Sequence, residues 1–409
     1  MIRTNSKKAG VLTLIALAAC SHNSPTNINS TDQMSTTDDP RIKTFESSVG
    51  QLSDHGKVDA DLWSIAERMV SHGVPGVGVG IIHNGEFVLT KGYGVQSSNS
   101  DVPVDEQTVF SAGSVSKLIN AALILRLVDE GTLNLDEDVN SYLTSWSVPQ
   151  TGLAGKHKVT LRMLLAHTSG FSQHGFRDFE PGEPLPTAIQ TLNGEAPAIH
   201  DPVQLLFTPG EKMKYSGGGI TVTQVLVEDV TGLTYEAAAQ KYVFVPLGMK
   251  RSTFLNPLPK THGNIARAHD ENGKPRALPR GYEAMPEVAA SGLWTSVEDM
   301  AIFIKALYLG DTFLSEDVRN DMLTRVPQSW HGLGPRLNGE TDKFVLHHGG
   351  ANNSYHTWLE AHPNQGNGMI VLTNGANGRQ LAYELRVATE GAFGWSINFP
   401  DDFTQPVFE

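Results

Sequence analysis

The sequence predicts an α+β fold, in which one antiparallel sheet is built from both ends of the chain and a mostly helical subdomain is inserted between its halves. Two short apolar stretches that flank Asn84-Gly85 predict a β-hairpin near the N-terminus. Three further strand-like stretches lie near the C-terminus, between residues 344 and 372. The long middle of the chain carries helical and loop patterns, which indicates that it forms the insertion.

The first elements of the folded body are expected to be a helix and the hairpin. Asp61-Leu62-Trp63 is predicted to open an amphipathic helix, because apolar residues recur from Leu62 at helical spacing, and Gly73 is predicted to end it. The hairpin strands are expected at Val77–Ile82 and Phe87–Lys91. Glycines in the first of these strands predict that another element packs closely on it.

The later elements follow from their own periodicity and caps. Val115–Val128 is apolar nearly all round, which is typical of a buried core helix. A capping box at Ser296-Val297-Glu298-Asp299 predicts a helix that continues to about Leu309. The remaining expected elements are a short helix at Thr160–Ala166, strands at Phe344–Leu346, Thr357–Glu360 and Gly368–Leu372, and a final helix at about Arg379–Thr389.

The composition excludes several classes of protein. The 409 residues include 31 Lys and Arg against 44 Asp and Glu, for a net charge of −13. That charge argues against a nucleic-acid binder, because such proteins need a basic surface. One cysteine rules out an intrachain disulfide and a Cys-based zinc site. The pair His347-His348 with His356 is a weak metal candidate, since scattered histidines are far more often simple loop and strand residues. We therefore expect no metal, no cofactor and no nucleic-acid partner.

The first twenty residues have the pattern of a secretory signal. Basic residues precede an apolar run over residues 11–19 that is too short to span a membrane. The run ends in Leu17-Ala18-Ala19-Cys20, which resembles a bacterial lipobox, whose cysteine is lipidated and becomes the first residue of the mature protein. The alternative is an ordinary signal peptide that happens to contain a cysteine.

This pattern divides the chain into four expected segments. Residues 1–19 are the lipoprotein signal peptide, 20–57 the lipidated cysteine with a flexible polar tether, 58–395 the folded domain and 396–409 a C-terminal tail. Acylated Cys20 would make the lipid bilayer a partner. Ser21 after the cysteine favours the outer membrane of a bacterial cell envelope, with the domain facing the periplasm. The oligomeric state is not predicted.

The strongest catalytic candidate is the Ser-x-x-Lys motif formed by Ser114 and Lys117. The motif opens the most apolar helix, where residues three apart share a face, so the lysine amine can reach the serine hydroxyl. Burial would disfavour the charged amine and make it a usable base. A serine at a helix N-terminus also offers its backbone N–H to a developing oxyanion. The alternative is an N-cap serine beside a lysine whose charge reaches solvent.

This motif resembles the first motif of the penicillin-recognising serine hydrolases, which include class C β-lactamases, DD-peptidases and related esterases. The resemblance covers most of residues 58–395. It extends through five further stretches in the family's order, namely Thr160–Gly170, Pro209–Gly217 with Tyr215 in a Tyr-x-Asn-like motif, Pro246–Met249, Ala290–Ser296, and His347–Gly350 at the Lys-Thr-Gly position. The resemblance implies the β-lactamase/DD-peptidase fold.

The resemblance also implies roles for individual residues. It makes Ser114 the acylated nucleophile, Lys117 its activator and Tyr215 the proton shuttle. The remaining implied positions are the backbone N–H groups of Ser114 and Gly350 as the oxyanion hole, the substrate-binding residues His347, Gly349 and Gly217, and His348 as a spacer.

Two departures from the family pattern weaken the β-lactamase interpretation. Gly217 stands where Asn is usual, so a side-chain amide is missing. His347 stands where Lys is usual, so a fixed positive charge for a substrate carboxylate is lost or becomes pH-dependent. Both changes favour an esterase or peptidase. The irregular segment from Gly170 to about Pro202 is expected to form a lid or binding wall, or else a poorly ordered surface loop.

The sequence thus predicts a lipid-anchored serine hydrolase. It would act through an acyl-enzyme on small-molecule or peptide esters or amides, of the D-amino-acid peptide or β-lactam-like kind. The alternative from another class is a catalytically weak or inactive family member that serves as an envelope binding or scaffold protein. A transacylase would use the same residues and differ only in its acceptor.

Overall fold

The computed structural model describes Met1 and residues 38–52, 58–149, 152–153, 157–179, 182–276 and 285–395. Cys20 and the predicted C-terminal tail lie outside these residues. The strands are β1 Val49–Leu52, β2 Val58–Trp63, β3 Gly76–His83, β4 Glu86–Gly94, β5 Phe110–Ser111, β6 Trp294–Thr295, β7 Arg336–Asn338, β8 Val345–Ala351, β9 His356–His362 and β10 Asn367–Thr373. The α-helices are α1 Pro40–Ser47, α2 Ile65–His72, α3 Ser116–Asp129, α4 Leu161–Leu165, α5 Ala188–Asn193, α6 Gly217–Thr231, α7 Tyr235–Ala239, α8 Val245–Leu247, α9 Val288–Ser291, α10 Val297–Ile304, α11 Glu316–Met322 and α12 Gly378–Phe393.

A six-stranded antiparallel sheet joins the two ends of the chain, in the order β4-β3-β10-β9-β8-β7. The N-terminal hairpin supplies two strands, and β10 pairs with β3 in register from Gly368 opposite Ile82 to Thr373 opposite Val77. The C-terminal strands supply the other four. The predicted α+β class, with a sheet built from both termini, is therefore confirmed.

The Asn84-Gly85 turn and the glycines of β3 have the roles that the sequence predicts. Asn84 and Gly85 have φ values of 52° and 81°, which a two-residue hairpin turn of this type requires. A Cβ on Gly78 would lie 2.7 Å from a methyl group of Val297 on α10. Because a real Cβ is essentially never so close to another heavy atom, the bare backbone of β3 is what lets α10 lie on the sheet.

The sheet separates two layers of helices. α10 packs on β3 and β10, and the long α12 packs on β9 and β10, where it also contacts α1 and α2. The apolar helix predicted at Val115–Val128 is α3, which packs against α6, α7 and α9 of the helical insertion. Its buried side chains join those of α10 and the insertion in one large apolar core. No helix in the described part of the chain is long and apolar enough to cross a bilayer.

Two expectations near the N-terminus are wrong. The helix does not open at Asp61, because residues 58–63 form β2 and the helix begins at Ile65. Ser64 sets that boundary, since it accepts a hydrogen bond from the Glu67 N–H while the Glu67 carboxylate accepts one from the Ser64 N–H.

The expected tether is also too long. Its residues 40–52 include α1 and β1. Phe45 is fully buried in an apolar cluster that also contains side chains of β3 and α12. The sequence does not indicate this packing, because the segment has few apolar residues and only a few side chains hold it in place.

The helix predicted after Ser296 is present, but its capping is one-sided. The Ser296 side chain accepts a hydrogen bond from the Asp299 N–H. The Asp299 carboxylate does not return one to Ser296, because it accepts hydrogen bonds from the Arg251 N–H and the Ser252 hydroxyl instead. The α-helix ends at Ile304, and a π-helical turn continues it to Leu309.

Candidate active site

Ser114 lies in a tight 3-10 turn, Gly113–Val115, directly before α3 and against β8. Gly113 has a φ of 53°, and a Cβ there would lie 2.6 Å from the backbone nitrogen of Ala351. Glycine therefore permits both the turn and its close approach to the strand. The Ser116 hydroxyl fixes the turn, because it donates to the Gly113 carbonyl at 2.6 Å and accepts from the Leu293 N–H at 2.9 Å.

Lys117 lies one helical turn after the serine and directs its amine at it. The Lys117 Nζ donates to Ser114 Oγ at 3.1 Å and to the Ala290 carbonyl at 2.7 Å. The side chain is only 3% exposed. Both hydrogen-bond acceptors are uncharged, so the amine is held in place without a carboxylate partner. The predicted contact between these two residues is thus present.

Tyr215 follows the Pro209-Gly210 turn and precedes α6. Its ring centre lies 4.9 Å from the Lys117 Nζ and 4.2 Å from the His167 ring centre. His167 anchors this segment, because its Nδ1 accepts a hydrogen bond from the Ser216 N–H at 3.2 Å. Burial holds the pKa of His167 well below its usual value, so the imidazole is neutral and can act as that acceptor. Within the described chain, the Tyr215 hydroxyl makes no hydrogen bond, and it lies on the wall of a cavity.

This cavity, of about 170 Å³, brings the predicted catalytic residues together. Its lining carries three cationic side chains, Lys117, Arg336 and Arg379, and no carboxylate among the described residues. The full lining is Ser114, Lys117, His174, Gly175, Phe176, Tyr215, Gly217, Met285, Ala290, Ser291, Arg336, His348, Gly349, Ala351 and Arg379. A cavity with this charge is suited to an anionic group.

Sequence analysis missed Arg336, which lies on the three-residue edge strand β7. Its guanidinium carbon lies 5.8 Å from the Tyr215 ring centre, and its buried Nε has no hydrogen-bond partner among the described residues. Burial lowers the pKa of Arg336. An arginine guanidinium nevertheless stays charged in proteins. The Gly-Leu-Gly-Pro turn just before it was the available signal, because it marks the start of a new strand.

The structure corrects the roles expected of His347 and His348. His347 does not line the cavity. Its ring is 1% exposed and stacks on Trp358 with ring centres 5.2 Å apart, and the Asn338 amide contacts its Nε2 at 3.1 Å. Burial holds the pKa of His347 well below its usual value, so it supplies no charge to a substrate. His348, expected to be a spacer, is the histidine that lines the cavity.

Of the β8 residues next to the Ser114 turn, the one expected to form the oxyanion hole does not line the cavity, whereas the following residue does. Ala351 lines the cavity beside Ser114, whereas Gly350 does not. A Cβ on Gly350 would collide with the Ala112 carbonyl oxygen, so this glycine allows the Ser114 turn to approach β8. Gly217 and Gly349 also line the cavity, and their role in substrate binding stays a prediction.

The segment predicted to be a lid or binding wall forms part of the cavity wall through His174, Gly175 and Phe176. It is held on the start of α6, because the Gly217 N–H donates to the His174 carbonyl at 3.0 Å and the Gly218 N–H donates to the Gln173 carbonyl at 3.1 Å. It also contains α5. Across the described ranges, no three His, Cys, Asp or Glu side chains are grouped to hold a metal ion.

Comparisons with known proteins agree with the fold described above. The family model named Beta-lactamase matches residues 64–392. Protein flp of Staphylococcus aureus strain MW2 is 24% identical over 307 residues, which are 74% of this chain and 60% of flp. The chain thus spans about 60% of the length of that relative.

Two solved structures share the fold. The octameric penicillin-binding protein homologue from Pyrococcus abyssi has a TM-score of 0.65 and 26% identity, over 79% of this chain and 75% of that one. The crystal structure of SurE has a TM-score of 0.64 and 24% identity, over 82% of this chain and 77% of that one, and shows similarity of fold alone.

Proposed function

The chain belongs to the beta-lactamase family, and from that membership we propose that it is a serine hydrolase that cleaves esters or amides through an acyl-enzyme on Ser114. The observation that carries the proposal is the hydrogen bond from the Lys117 amine to Ser114 Oγ, 3.1 Å long, on the wall of the cavity that also holds Tyr215. A serine becomes a nucleophile when a neighbouring base takes its proton. Lys117 and Tyr215 are the neighbouring residues that can take part in that transfer.

In the proposed reaction, Ser114 Oγ attacks the substrate carbonyl and gives its proton to Lys117, while the Lys117 ammonium gives one of its own protons to the Tyr215 phenolate, which becomes the neutral phenol. The Lys117 ammonium and the Arg336 guanidinium, both beside the Tyr215 ring, stabilise negative charge on the phenol oxygen. Tyr215 then protonates the leaving oxygen or nitrogen as its bond to the carbonyl carbon breaks. Water attacks the acyl-enzyme by the reverse proton route and releases Ser114.

The charge on the carbonyl oxygen needs hydrogen-bond donors. We assign these to the backbone N–H groups of Ser114 and Ala351, because both residues line the cavity and the two chain segments approach each other closely there. Backbone donors are fixed by the 3-10 turn and by β8, so they require no rearrangement during the reaction.

The substrate class follows from the cations of the cavity. Arg336 places a guanidinium there with an unpartnered Nε–H, and Arg379 adds a second positive charge. We propose that the substrate carries a carboxylate, which Arg336 binds and which the neutral, buried His347 does not. A small acyl peptide ending in a free carboxylate has this chemistry.

The test is intact-mass analysis after exposure to a fluorophosphonate, a penicillin and a nitrophenyl ester. The wild type is expected to gain one adduct, and Ser114→Ala is expected to gain none. Ser291→Ala, which removes another cavity hydroxyl, should still be labelled. No adduct with any probe would contradict the enzyme proposal and support a binding or scaffold protein.

A second assay tests the carboxylate. Arg336→Met should lower kcat/KM about 10- to 100-fold for an ester with a free carboxylate on its leaving group, since a charge-assisted hydrogen bond contributes roughly 1.5–3 kcal/mol. The methyl ester of the same compound should lose much less. Equal losses for the two compounds would contradict this role of Arg336.

We also propose that the protein is a lipoprotein of the bacterial cell envelope, anchored through Cys20 with its hydrolase domain in the periplasm. The Leu-Ala-Ala-Cys sequence after the apolar leader supports this. Cys20→Ala should release the protein from membranes or leave it unprocessed. If the Cys20→Ala variant is still cleaved and is nevertheless found in the membrane fraction, the proposed anchor is wrong.

A further inference from the structure

Gln224, in the middle of α6, holds the start of the neighbouring helix α9. Its side-chain amide donates to the Pro286 carbonyl at 3.0 Å and accepts from the Ala289 N–H at 3.2 Å. The Gln224 side chain is buried, so water does not compete for these two hydrogen bonds. One amide therefore fixes the backbone on both sides of Glu287.

The helix α9 has no cap of its own at this end. Glu287 occupies the N-cap position, but its side chain makes no capping hydrogen bond to the helix. The first N–H groups of a helix have no partner within it, and they need partners from elsewhere when they are buried. Gln224 supplies one to the Ala289 N–H, so a side chain of α6 acts as the cap of α9.

The other end of α9 carries a contact of the candidate active site. The Ala290 carbonyl accepts the hydrogen bond of 2.7 Å from the Lys117 Nζ. Just beyond the helix, the Leu293 N–H donates to the Ser116 hydroxyl, which fixes the chain where it leaves α9. The acceptor for Lys117 thus lies between that contact and the one that Gln224 makes.

The helix that carries Gln224 also positions Tyr215, which lies just before its first residue. The Lys117 Nζ lies 4.9 Å from the centre of the Tyr215 ring. In the proposed reaction these two groups exchange a proton, so their separation has to be held constant. The helix α6 holds Tyr215 at its start and the Lys117 acceptor through Gln224.

We propose that Gln224 is a positioning residue of the hydrolase, which keeps the Ala290 carbonyl at the Lys117 amine and so keeps that amine between Ser114 and Tyr215. The inference rests on the proposed serine hydrolase function and adds to it a residue that does not line the cavity. Gln224 acts through α9, whereas the proton steps belong to Lys117 and Tyr215.

The first test is Gln224→Met, because methionine has a similar length but cannot donate a hydrogen bond and accepts one only weakly. This variant should lower kcat/KM for a nitrophenyl ester about 10- to 100-fold, since a displacement of about 1 Å at a catalytic group costs on the order of 100-fold. The concentration of active enzyme is taken from complete fluorophosphonate labelling, so unfolded protein is not counted. The matched control is Thr389→Val on α12, which removes another buried hydrogen bond and should leave kcat/KM unchanged.

Gln224→Glu makes the same contact dependent on pH. A carboxylic acid can donate to the Pro286 carbonyl and accept from the Ala289 N–H, whereas a carboxylate can only accept. Burial raises the pKa of Glu287 on α9 and of Glu228 one turn later on α6, and it acts on a carboxyl at position 224 in the same direction. The Lys117 amine contacts the far end of α9 and is the cation on that side.

The measured quantity is the ratio of kcat/KM between each variant and the wild type from pH 5.5 to 9. For Gln224→Glu the ratio should be close to one at pH 5.5 and fall about tenfold or more by pH 9, as the new carboxyl group loses its proton. For Gln224→Met the ratio should be low and independent of pH. Circular dichroism at each pH checks the fold, and a purely structural contribution of Gln224 would not produce this difference.

Fluorophosphonate labelling of Ser114 separates the two proposals. If the wild type is neither labelled nor active, the hydrolase proposal is wrong and this inference falls with it. If the wild type is active and Gln224→Met keeps its kcat/KM, or Thr389→Val loses as much as Gln224→Met, the role of Gln224 is wrong and the hydrolase proposal stands. Should Gln224→Met fail to fold, Gln224→Glu decides, since a ratio that does not change with pH overturns the role by itself.

Discussion

Single atoms decide how closely the two halves of the candidate site approach each other. The Ser114 turn and β8 come together where neither Gly113 nor Gly350 carries a side chain. The sequence shows Gly350 only as part of a Gly-Gly pair. Its requirement for glycine arises from the Ala112 carbonyl, which lies far away in sequence and directly against it in space.

We predict that Gly350→Ala lowers kcat/KM for a nitrophenyl ester by about 100-fold or more. The new methyl group collides with a backbone carbonyl, which has no flexible end to move aside, so the Ser114 turn must shift, and a displacement of about 1 Å in a site costs on the order of 100-fold. Steady-state kinetics measure the loss, and circular dichroism checks the fold. A folded variant with wild-type kcat/KM would contradict the prediction.

At the scale of the element, the start of α6 supports the wall of the site and contributes to the stability of the protein. Gly217, Gly218 and Gly219 open this helix, although glycine is a poor helix former. The structure gives the reason. A Cβ on Gly218 would lie 2.7 Å from the Ser172 carbonyl oxygen and 2.7 Å from a Val203 methyl group. The wall segment can lie on the helix only because Gly217 and Gly218 carry no side chain.

Gly218→Ala is therefore expected to destabilise the protein by about 1–3 kcal/mol, because the added methyl group overpacks a filled contact. The matched variant is Gly391→Ala on α12, where no neighbour lies within 4 Å of the new Cβ. That change should stabilise by about 0.5–1 kcal/mol, since alanine loses less conformational entropy in a helix. Urea unfolding of both variants measures the difference, and a Gly218→Ala midpoint at or above that of the wild type would disprove the packing argument.

At the scale of the whole molecule, the dominant titratable feature is a set of buried, neutral histidines. Burial lowers the pKa of each, to about 3 for His331 and about 4 for His356. Further members are His167, His269, His347 and His348. In the unfolded chain such residues titrate near ~6.5. Below that pH the unfolded state binds more protons than the native state, so the free energy of unfolding falls as pH falls.

Carboxyl groups whose pKa is raised act in the opposite direction, and they include Glu287 and Glu390 as well as Glu228, Glu298 and Asp299. Burial raises the pKa of Glu287 and of Glu390 to about 7, above the usual value near ~4.3. Between these values the native state holds the extra proton, so both groups favour folding as pH falls from 7. Below about pH 4.3 their contribution is constant.

We therefore predict a shallow loss of stability between pH 6.5 and about 4.5 and a steeper loss below it, with each histidine contributing at most about 1.4 kcal/mol per pH unit. Urea unfolding at pH 7, 5.5, 4.5 and 3.5 measures the profile. His331→Asn, which keeps a donor for the Gly334 carbonyl, should flatten it. A free energy of unfolding that is constant or rises towards pH 3.5 would contradict the assignment of neutral histidines.

The amino-acid sequence by itself determined the α+β class, the Asn84-Gly85 hairpin, the core helix α3 and the pairing of Ser114 with Lys117. The hairpin, the core helix and the Ser114–Lys117 contact depend on residues a few positions apart, so periodicity, turn residues and helix spacing carry the information. The α+β class follows from the order of such local elements along the chain. The helix α2 was predicted correctly except for its first residue. Ser64 is its N-cap, and the residues just before Ser64, which were assigned to the helix, pair with β1 as the strand β2.

The tertiary structure alone decided which residues of β8 face the cavity and which cation completes it. Side chains alternate along a strand, so a shift of one residue exchanges His347 for His348, and the register is set by pairing with β9 and β7 rather than by the strand's own sequence. Arg336 reaches the site from a three-residue edge strand that is too short to show a period. His174 faces the cavity because glycines at the start of a helix more than forty residues later leave room for its segment. These placements depend on contacts between distant parts of the chain, which no local pattern of residues specifies.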